Sequence, residues 1–314
     1  MRKWFHTHGG ALQRILKWGG TLISLGLFGW LIARQDWAGT MSVLRSFPWW
    51  LLVLAYTGFL LGQAMNAWRW YMVLRLAKIA LPYPAAMKIV FLGAFASNFL
   101  PSTVGGDTVR YISLLRFTEK KGMGVLSLLV DRLLKMISML TLSPFSIVLF
   151  GPVLADILGR RTTWPEAAFI PAKVQDYWQR AWSALVVWFR NPVDFLHALG
   201  VAWLSVFPQM LATLGIAHGL GMSIGLQHII GASVITYFVT LLPIAINGYG
   251  LQEISVTVLY TSLGVNLEQS VALALITRVL MLAATLPGAL WLPEILALKA
   301  DNIDNRRQTT DDRR

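Results

Sequence analysis

Two arginines stand where arginine is expensive. Arg132 interrupts the apolar run 122–156, and Arg278 interrupts the run 268–298. A charged side chain at the centre of a membrane helix costs about 2.5–3.5 kcal/mol on insertion scales, so it faces a partner, water or a charged ligand. Two carboxylates have a matching placement. Asp107 follows Gly105 and Gly106 directly, with Arg110 three residues on, and Glu253 comes three residues after Gly250. Guanidinium groups suit phosphate oxygens through paired N–H donors. The carboxylates suit the polar or cationic parts of a headgroup, or serve as counter-ions. Asp107 has two readings: an N-cap for the helix that begins there, or a neighbour of exposed first-turn amides that attract an anion. Glu253 has the same two. Asp131 and Lys135 flank Arg132, so an ion cluster that fixes helix packing is the competing reading there. Arg278 has no charged neighbour in sequence, which leaves a ligand phosphate or Glu253 across the bundle.

The elements that must hold these groups are interrupted helices. One segment reads Leu100-Pro101-Ser102-Thr103-Val104-Gly105-Gly106-Asp107, and the other Leu242-Pro243-Ile244-Ala245-Ile246-Asn247-Gly248-Tyr249-Gly250-Leu251-Gln252-Glu253. Each breaks an apolar run at Leu-Pro, passes through glycines and reaches a carboxylate where the apolar phase resumes. Broken helices at membrane depth are tolerated where they line a cavity. Asn98 and Asn247 bracket the breaks and are placed to satisfy freed backbone groups. Downstream the likeness continues to Asp131-Arg132 and to Thr277-Arg278, with proline-to-arginine intervals of 31 and 35 residues.

Composition fixes the surroundings. Of 314 residues 56% are hydrophobic and 13% charged, with a mean hydropathy of +0.58. Runs of about 18 or more apolar residues are long enough to cross a bilayer. Residues 46–68, 136–155 and 195–252 carry no Asp, Glu, Lys or Arg. Tryptophans pair near span ends (Trp30 and Trp37, Trp49 and Trp50, Trp68 and Trp70), where indole prefers the headgroup zone. The net charge of +12 is spread over loops between spans, a pattern of membrane orientation and not of nucleic-acid binding. With no cysteine, disulfides, thiolate metal sites and cysteine nucleophiles are excluded. P-loop, G-x-S-x-G, dinucleotide and H-E-x-x-H motifs are missing, so no cofactor and no soluble-enzyme chemistry is expected.

The predicted fold is an all-α polytopic membrane protein of about eight hydrophobic helices in one domain over 1–300. Spans are expected at 16–33 (a retained signal anchor), 48–68, 194–219, 226–242, 251–264 and 268–298, with a short apolar stretch at 85–100. The segment 69–88 reads as a basic connection. Residues 107–120 place Arg110, Ser113, Arg116 and Lys120 opposite Val109, Ile112 and Leu115, an amphipathic helix along an interface or a cavity wall. Residues 122–156, with Pro144 near the middle, read as two helices in a tight hairpin. The connection 157–192 is more polar, with an interfacial helix at 174–189, and 301–314 is expected to be disordered. Arg2, Lys3, Arg14 and Lys17 precede the first span without an acid, which predicts a cytoplasmic N-terminus. Counting crossings with the hairpin makes the halves 48–156 and 194–298 an inverted repeat. A single crossing there would undo that.

Asn98-Phe99-Leu100-Pro101 with Gly105-Gly106-Asp107 and Arg110, then Asp131-Arg132-Leu133, then Pro243 with Gly248, Gly250 and Glu253, resembles the flippase-like family. This is the transmembrane region of lysylphosphatidylglycerol synthase, the multiple peptide resistance factor. The resemblance covers roughly residues 10–298. It implies movement of aminoacylated phospholipids between leaflets of a bacterial inner membrane. In that synthase a separate cytosolic domain carries aminoacyl transfer, and no such domain lies within these 314 residues, so transferase activity is not expected. Gln252 departs from the family, where a basic residue is expected before the carboxylate.

The resulting expectation is a lipid translocase without nucleotide or metal. Its substrate, a phospholipid or polyprenyl-linked lipid with a phosphate headgroup, would contact both motifs (Asn98, Pro101, Gly105, Gly106, Asp107, Arg110; Pro243, Asn247, Gly248, Gly250, Glu253). Asp131, Arg132 and Arg278 complete the set. One alternative is a non-transporting subunit that holds a lipid for a membrane-bound glycosyltransferase or synthase. Another is an intramembrane enzyme in which Asp107 and Asp131 cooperate.

Overall fold

In hydrocarbon a chain must satisfy its own backbone polar groups, so long apolar runs become helices. The computed structural model describes residues 45, 47–98, 105–159, 192–241 and 248–291, and these contain helices, turns and no strand. In chain order the helices are α1 (Trp49–Leu76), α2 (Tyr83–Ser97), α3 (Gly105–Leu114), α4 (Lys121–Thr141), α5 (Ser143–Gly159), α6 (Pro192–Gly219), α7 (Leu226–Leu241), α8 (Leu251–Ser262) and α9 (Leu267–Thr285), followed by a 3₁₀ turn at Leu286–Trp291. Among the described residues, three segments are long and apolar enough to cross a membrane: α1, Leu196–Gly219 of α6, and Leu267–Trp291. The pair Lys121–Thr141 and Ser143–Pro152 makes a fourth if it is one span.

The same order of elements occurs twice. Helices α1 and α6 each have 28 residues and form the most extensive helix–helix contact of the described residues. Both end in the same left-handed turn, with Lys78 at φ 53° and Gly221 at φ 75°. There the amide of Ile79 reaches Leu74 O and that of Met222 reaches Ala217 O, each at 3.0 Å. A short apolar helix of 15 or 16 residues follows, α2 or α7, then a break, a helix of 10 or 12 residues, α3 or α8, and a longer one, α4 or α9. The halves exchange their ends: the 3₁₀ turn after α9 packs on α2, and α5 packs on α7. Glycines permit both approaches, Gly288 lying against the Phe91 carbonyl and Gly231 against that of Phe145.

Polarity is distributed inside-out. Arg69, Asp131, Glu253 and Arg278 are buried, whereas Trp49, Val148 and Leu290 are at least 75% exposed. Such a surface suits lipid and not water. The apolar core falls into two clusters, one around Trp70, Leu114 and Leu134, the other around Phe150, Met210, Ile216 and Tyr260.

Several sequence expectations change. The segment 122–156 does form two helices, but α4 and α5 meet at Leu142 with a bend of 55°, far from the reversal of a tight hairpin. Pro144 occupies the second position of α5 and so starts a helix, where its missing N–H costs nothing. Helix α1 runs on to Leu76, which places Arg69 inside it and not in a basic connection. Helix α3 stops at Leu114, shorter than the predicted 107–120, and it turns Ser113 inward while Ile112 is half exposed. The span at 16–33, the N-terminal charges, the helix at 174–189, the tail 301–314, both Leu-Pro steps with Pro101 and Pro243, and Asn247 lie outside the described residues.

Candidate functional site

Helix α4 presents Asp131 and Arg132 side by side, and adjacent positions on a helix point about 100° apart. They therefore take different partners. Asp131 Oδ1 accepts from Arg69 Nε at 2.8 Å, and Oδ2 accepts from Arg110 Nη2 at 2.9 Å. Arg69 also donates to Ser205 Oγ on α6 at 3.1 Å. Arg110 donates from its other terminal nitrogen, Nη1, to Asp107 Oδ1 at 3.2 Å, and Arg132 Nε donates to Asp107 Oδ2 at 2.5 Å. The result is a ladder of alternating charge, Arg69–Asp131–Arg110–Asp107–Arg132, that ties α1, α3 and α4 together. Arg110 lies with its guanidinium carbon 4.5 Å from the centre of the Trp70 ring, a cation–π contact that strengthens when water is excluded. Asp107 Oδ1 and Oδ2 both receive guanidinium donors, so the carboxylate acts as a counter-ion. Asp107 and Asp131 share Arg110 between them.

The second half builds a simpler version. Arg278 Nε donates to Glu253 Oε1, and Nη2 donates to Gly248 O at 3.1 Å. The Arg278 guanidinium carbon lies 4.9 Å from the centre of the Tyr249 ring. Gly248 and Gly250 hold φ of 67° and 78°, a backbone turn that side chains with a Cβ resist. That turn aims the Gly248 carbonyl at Arg278. The register of the two halves is the same: Arg132 and Asp107 are 25 residues apart, as are Arg278 and Glu253. The unequal proline-to-arginine intervals arise before the carboxylate, in the break. Glu253 Oε2 and the hydroxyls of Thr236, Thr257 and Thr277 are buried without a hydrogen bond among the described residues.

Two cavities meet here. The smaller, about 250 Å³, is walled by Arg69, Asp107, Arg110, Asp131, Arg132 and Lys135, with Gln63, Gly93 and Gly106. The larger, about 540 Å³, is lined by Met136, Met139, Met210 and Met281, by threonines including Thr213, Thr236 and Thr240, and by Gln209, Gln252 and Arg278. Gln63, Ala94, Ser97, Arg132, Lys135 and Tyr237 belong to both walls. The space thus runs from a charged end to a chamber of flexible thioethers and hydroxyls.

Seven of the eleven sequence-predicted residues that the structure describes line these cavities. Gly106, Asp107, Arg110, Asp131 and Arg132 line the small cavity, and Asn98 and Arg278 line the large one. Asn98 does more than end α2: its Nδ2 donates to Thr285 Oγ1 at 2.8 Å and so links the two halves. Gly105 is buried in the first turn of α3. Glu253, Gly248 and Gly250 stand behind Arg278. Sequence reasoning missed Arg69 and Tyr237, and it used Lys135 only as a flanking charge. The available cue for Arg69 was its place between Trp68 and Trp70, with an apolar helical pattern continuing to Leu76.

Gly106 allows α3 to approach α2. A Cβ there would lie 2.6 Å from the Gly93 carbonyl oxygen, and one at Gly93 would meet Arg110 Cγ at 2.6 Å. Gly106→Ala is expected to push α3 away, distort the ladder and cost about 1–3 kcal/mol, the usual range for overpacking. Thermal unfolding in detergent reads this out, and an unchanged midpoint would mean that α3 has room to move.

Apolar helices with their charges turned inward around a shared cavity define an integral membrane protein with a buried polar site. A family model described as the lysylphosphatidylglycerol synthase TM region matches residues 17–288, and the chain belongs to that family. No curated protein matches this chain.

Proposed function

We propose that this protein moves a lipid with a phosphate headgroup between the leaflets of the bacterial inner membrane, with its N-terminus cytoplasmic. The observation that carries this reading is the joined cavity, cationic at one end and lined by methionine and threonine at the other. A lipid needs that pair of environments at once, since its headgroup must keep polar partners while its chains stay in apolar surroundings. Arg110, Arg132 and Arg278 would meet the phosphate, and Asp107 and Glu253 would meet the rest of the headgroup. Movement is passive or coupled to an ion or proton gradient through those carboxylates. The test is reconstitution into liposomes with dithionite-accessible fluorescent lipids. Wild type is expected to equilibrate the lipid between leaflets faster than a variant carrying both Arg278→Ala and Glu253→Ala. Equal, slow rates for the two would sink the idea, and lipid retained through purification without flipping would instead favour a lipid-holding subunit.

The architecture that goes with this reading has about eight hydrophobic helices and two halves, inverted across the bilayer if α4 and α5 cross it twice and parallel if they make one bent span. The repeat is supported by the duplicated element order and the reciprocal packing of α5 and the 3₁₀ turn. Because the chain has no cysteine, single cysteines can be placed cleanly. Lys120→Cys, at the N-cap of α4, and Asn266→Cys, at the N-cap of α9, occupy equivalent exposed positions. They are expected to react with impermeant maleimide from opposite sides of the membrane. Labelling from the same side would make the repeat parallel.

A further inference from the structure

The threonines of these helices fall into two groups. Thr57, Thr141, Thr213, Thr240, Thr261 and Thr285 each donate to a carbonyl three or four residues earlier. That is how a hydroxyl on a helix satisfies itself away from water. Thr236 on α7 and Thr277 on α9 do otherwise. Both are 9% exposed, both line the larger cavity, and neither hydroxyl has a hydrogen bond among the described residues. A buried hydroxyl without a partner is costly. A helical threonine has two side-chain rotamers open to it, so each of these hydroxyls can turn to a ligand in the chamber.

Helix α8 packs on both α7 and α9 and adds Gln252 to the same cavity. The Gln252 Nε2 donates to Met281 Sδ at 3.3 Å, and a thioether is a weak acceptor that a ligand oxygen replaces readily. Gln63 and Gln209 bring further carboxamides from α1 and α6. Carboxamides and hydroxyls both donate and accept. The group that answers them is neutral and carries hydroxyls of its own. An acyl chain alone would leave them unpaired. An ammonium-bearing group would call for a carboxylate, and Glu253, beside Gln252 in the chain, is turned to Arg278 instead. At about 540 Å³ the chamber has the size of sites that enclose a small ligand.

We propose that the larger cavity selects a lipid whose phosphate bears a neutral polyhydroxylated group, a sugar or a cyclic polyol. This rests on the lipid reading of the cavity given above and names the class of headgroup. Thr236, Gln252 and Thr277 hold the hydroxyls of that group. Arg278, next to Thr277 in the chain and on the same cavity, puts the phosphate beside them. Met136 and Met139 on α4 and Met210 on α6 supply the apolar wall along which the lipid chain lies. The three polar residues thereby set headgroup specificity.

The test uses the full chain in phosphatidylcholine nanodiscs, with equilibrium binding or native mass spectrometry as readout. Phosphatidylinositol is the polyol probe, and phosphatidylmethanol is the same phosphodiester without hydroxyls. Phosphatidylethanolamine and free inositol 1-phosphate complete the set. Phosphatidylinositol is expected to bind roughly tenfold or more tightly than phosphatidylmethanol, from two or three added hydrogen bonds. Thr236→Val with Thr277→Val should remove most of that preference, and so should Gln252→Leu. The valine variant replaces hydroxyls that have no described partner, so it keeps its unfolding midpoint, and a purely structural role for them predicts no change in binding. Equal binding of phosphatidylinositol and phosphatidylmethanol by wild type overturns the proposal, as does an unchanged preference in both variants. Phosphatidylethanolamine binding as tightly as phosphatidylinositol overturns the neutral headgroup. Inositol 1-phosphate binding as tightly overturns the assignment to a lipid. The liposome assay separates this from the transport reading. Preferential binding without flipping supports the headgroup class and removes translocation. Flipping of both phosphodiesters at equal rates, with equal binding, does the reverse.

Discussion

Arg278→Ala is expected to unfold at markedly lower temperature than wild type, by a loss of about 3–5 kcal/mol, because it strands a buried carboxylate. Glu253 is 3% exposed, and its only described polar contact is the bond from Arg278 to Oε1. Its second oxygen has no partner among the described residues. Without the guanidinium, Glu253 must take up a proton or draw in water between α8 and α9, and Gly248 O loses its donor as well. The pair itself need not be stabilising relative to an apolar replacement. Replacing both residues, as Arg278→Met with Glu253→Leu, is therefore expected to recover most of the loss. Intrinsic tryptophan fluorescence during thermal unfolding in detergent measures all three proteins. A single variant as stable as wild type would mean that the pair opens to water in the membrane.

Asp131→Asn should have an effect of similar size, and on the proposed transport reading it should also stop lipid movement. Asp131 is 3% exposed and is the shared acceptor of Arg69 and Arg110. Neutralising it leaves those two guanidiniums facing one another with Asp107 the remaining carboxylate nearby among the described residues, at a cost of about 3–5 kcal/mol for an uncompensated buried charge. Asp107→Asn is expected to be milder, since the Asp107 side chain is 16% exposed and its partner Arg132 is 40% exposed. The combination Arg69→Met with Asp131→Leu leaves Arg110, Asp107 and Arg132 in place and should regain stability. A double-mutant cycle on Arg69 and Asp131 gives their coupling. Coupling near zero, or Asp107→Asn costing more than Asp131→Asn, would show that the ladder does not carry its load through Asp131.

Particular residues show how far the chain could be read in advance. Arg132, Arg278, Asp107 and Glu253 were identifiable because a charge inside an apolar run is costly and must be answered. Of the two readings open for Arg278, the pairing with Glu253 is the one formed. The neighbour relation misled at Asp131, which stands beside Arg132 yet bonds Arg69 and Arg110. It misled again at Arg69, where a basic residue near a span end passed for loop although α1 carries it inside. The hairpin at 122–156 failed for a similar reason. A proline was read as a reversal, whereas at the start of α5 it merely begins a helix after a 55° bend.

The sequence by itself determined that this is a helical membrane protein, because apolar runs of that length leave the backbone no other partner than itself. It also determined which side chains needed an answer, and that the pattern comes twice. Only the tertiary structure decided which carboxylate answers which arginine, and that Lys135 stands where the two cavities join. Partners such as Arg69 and Asp131 lie 62 residues apart. They meet only when α1, α3 and α4 pack, and the direction in which each helix turns its side chains then sets the pairing.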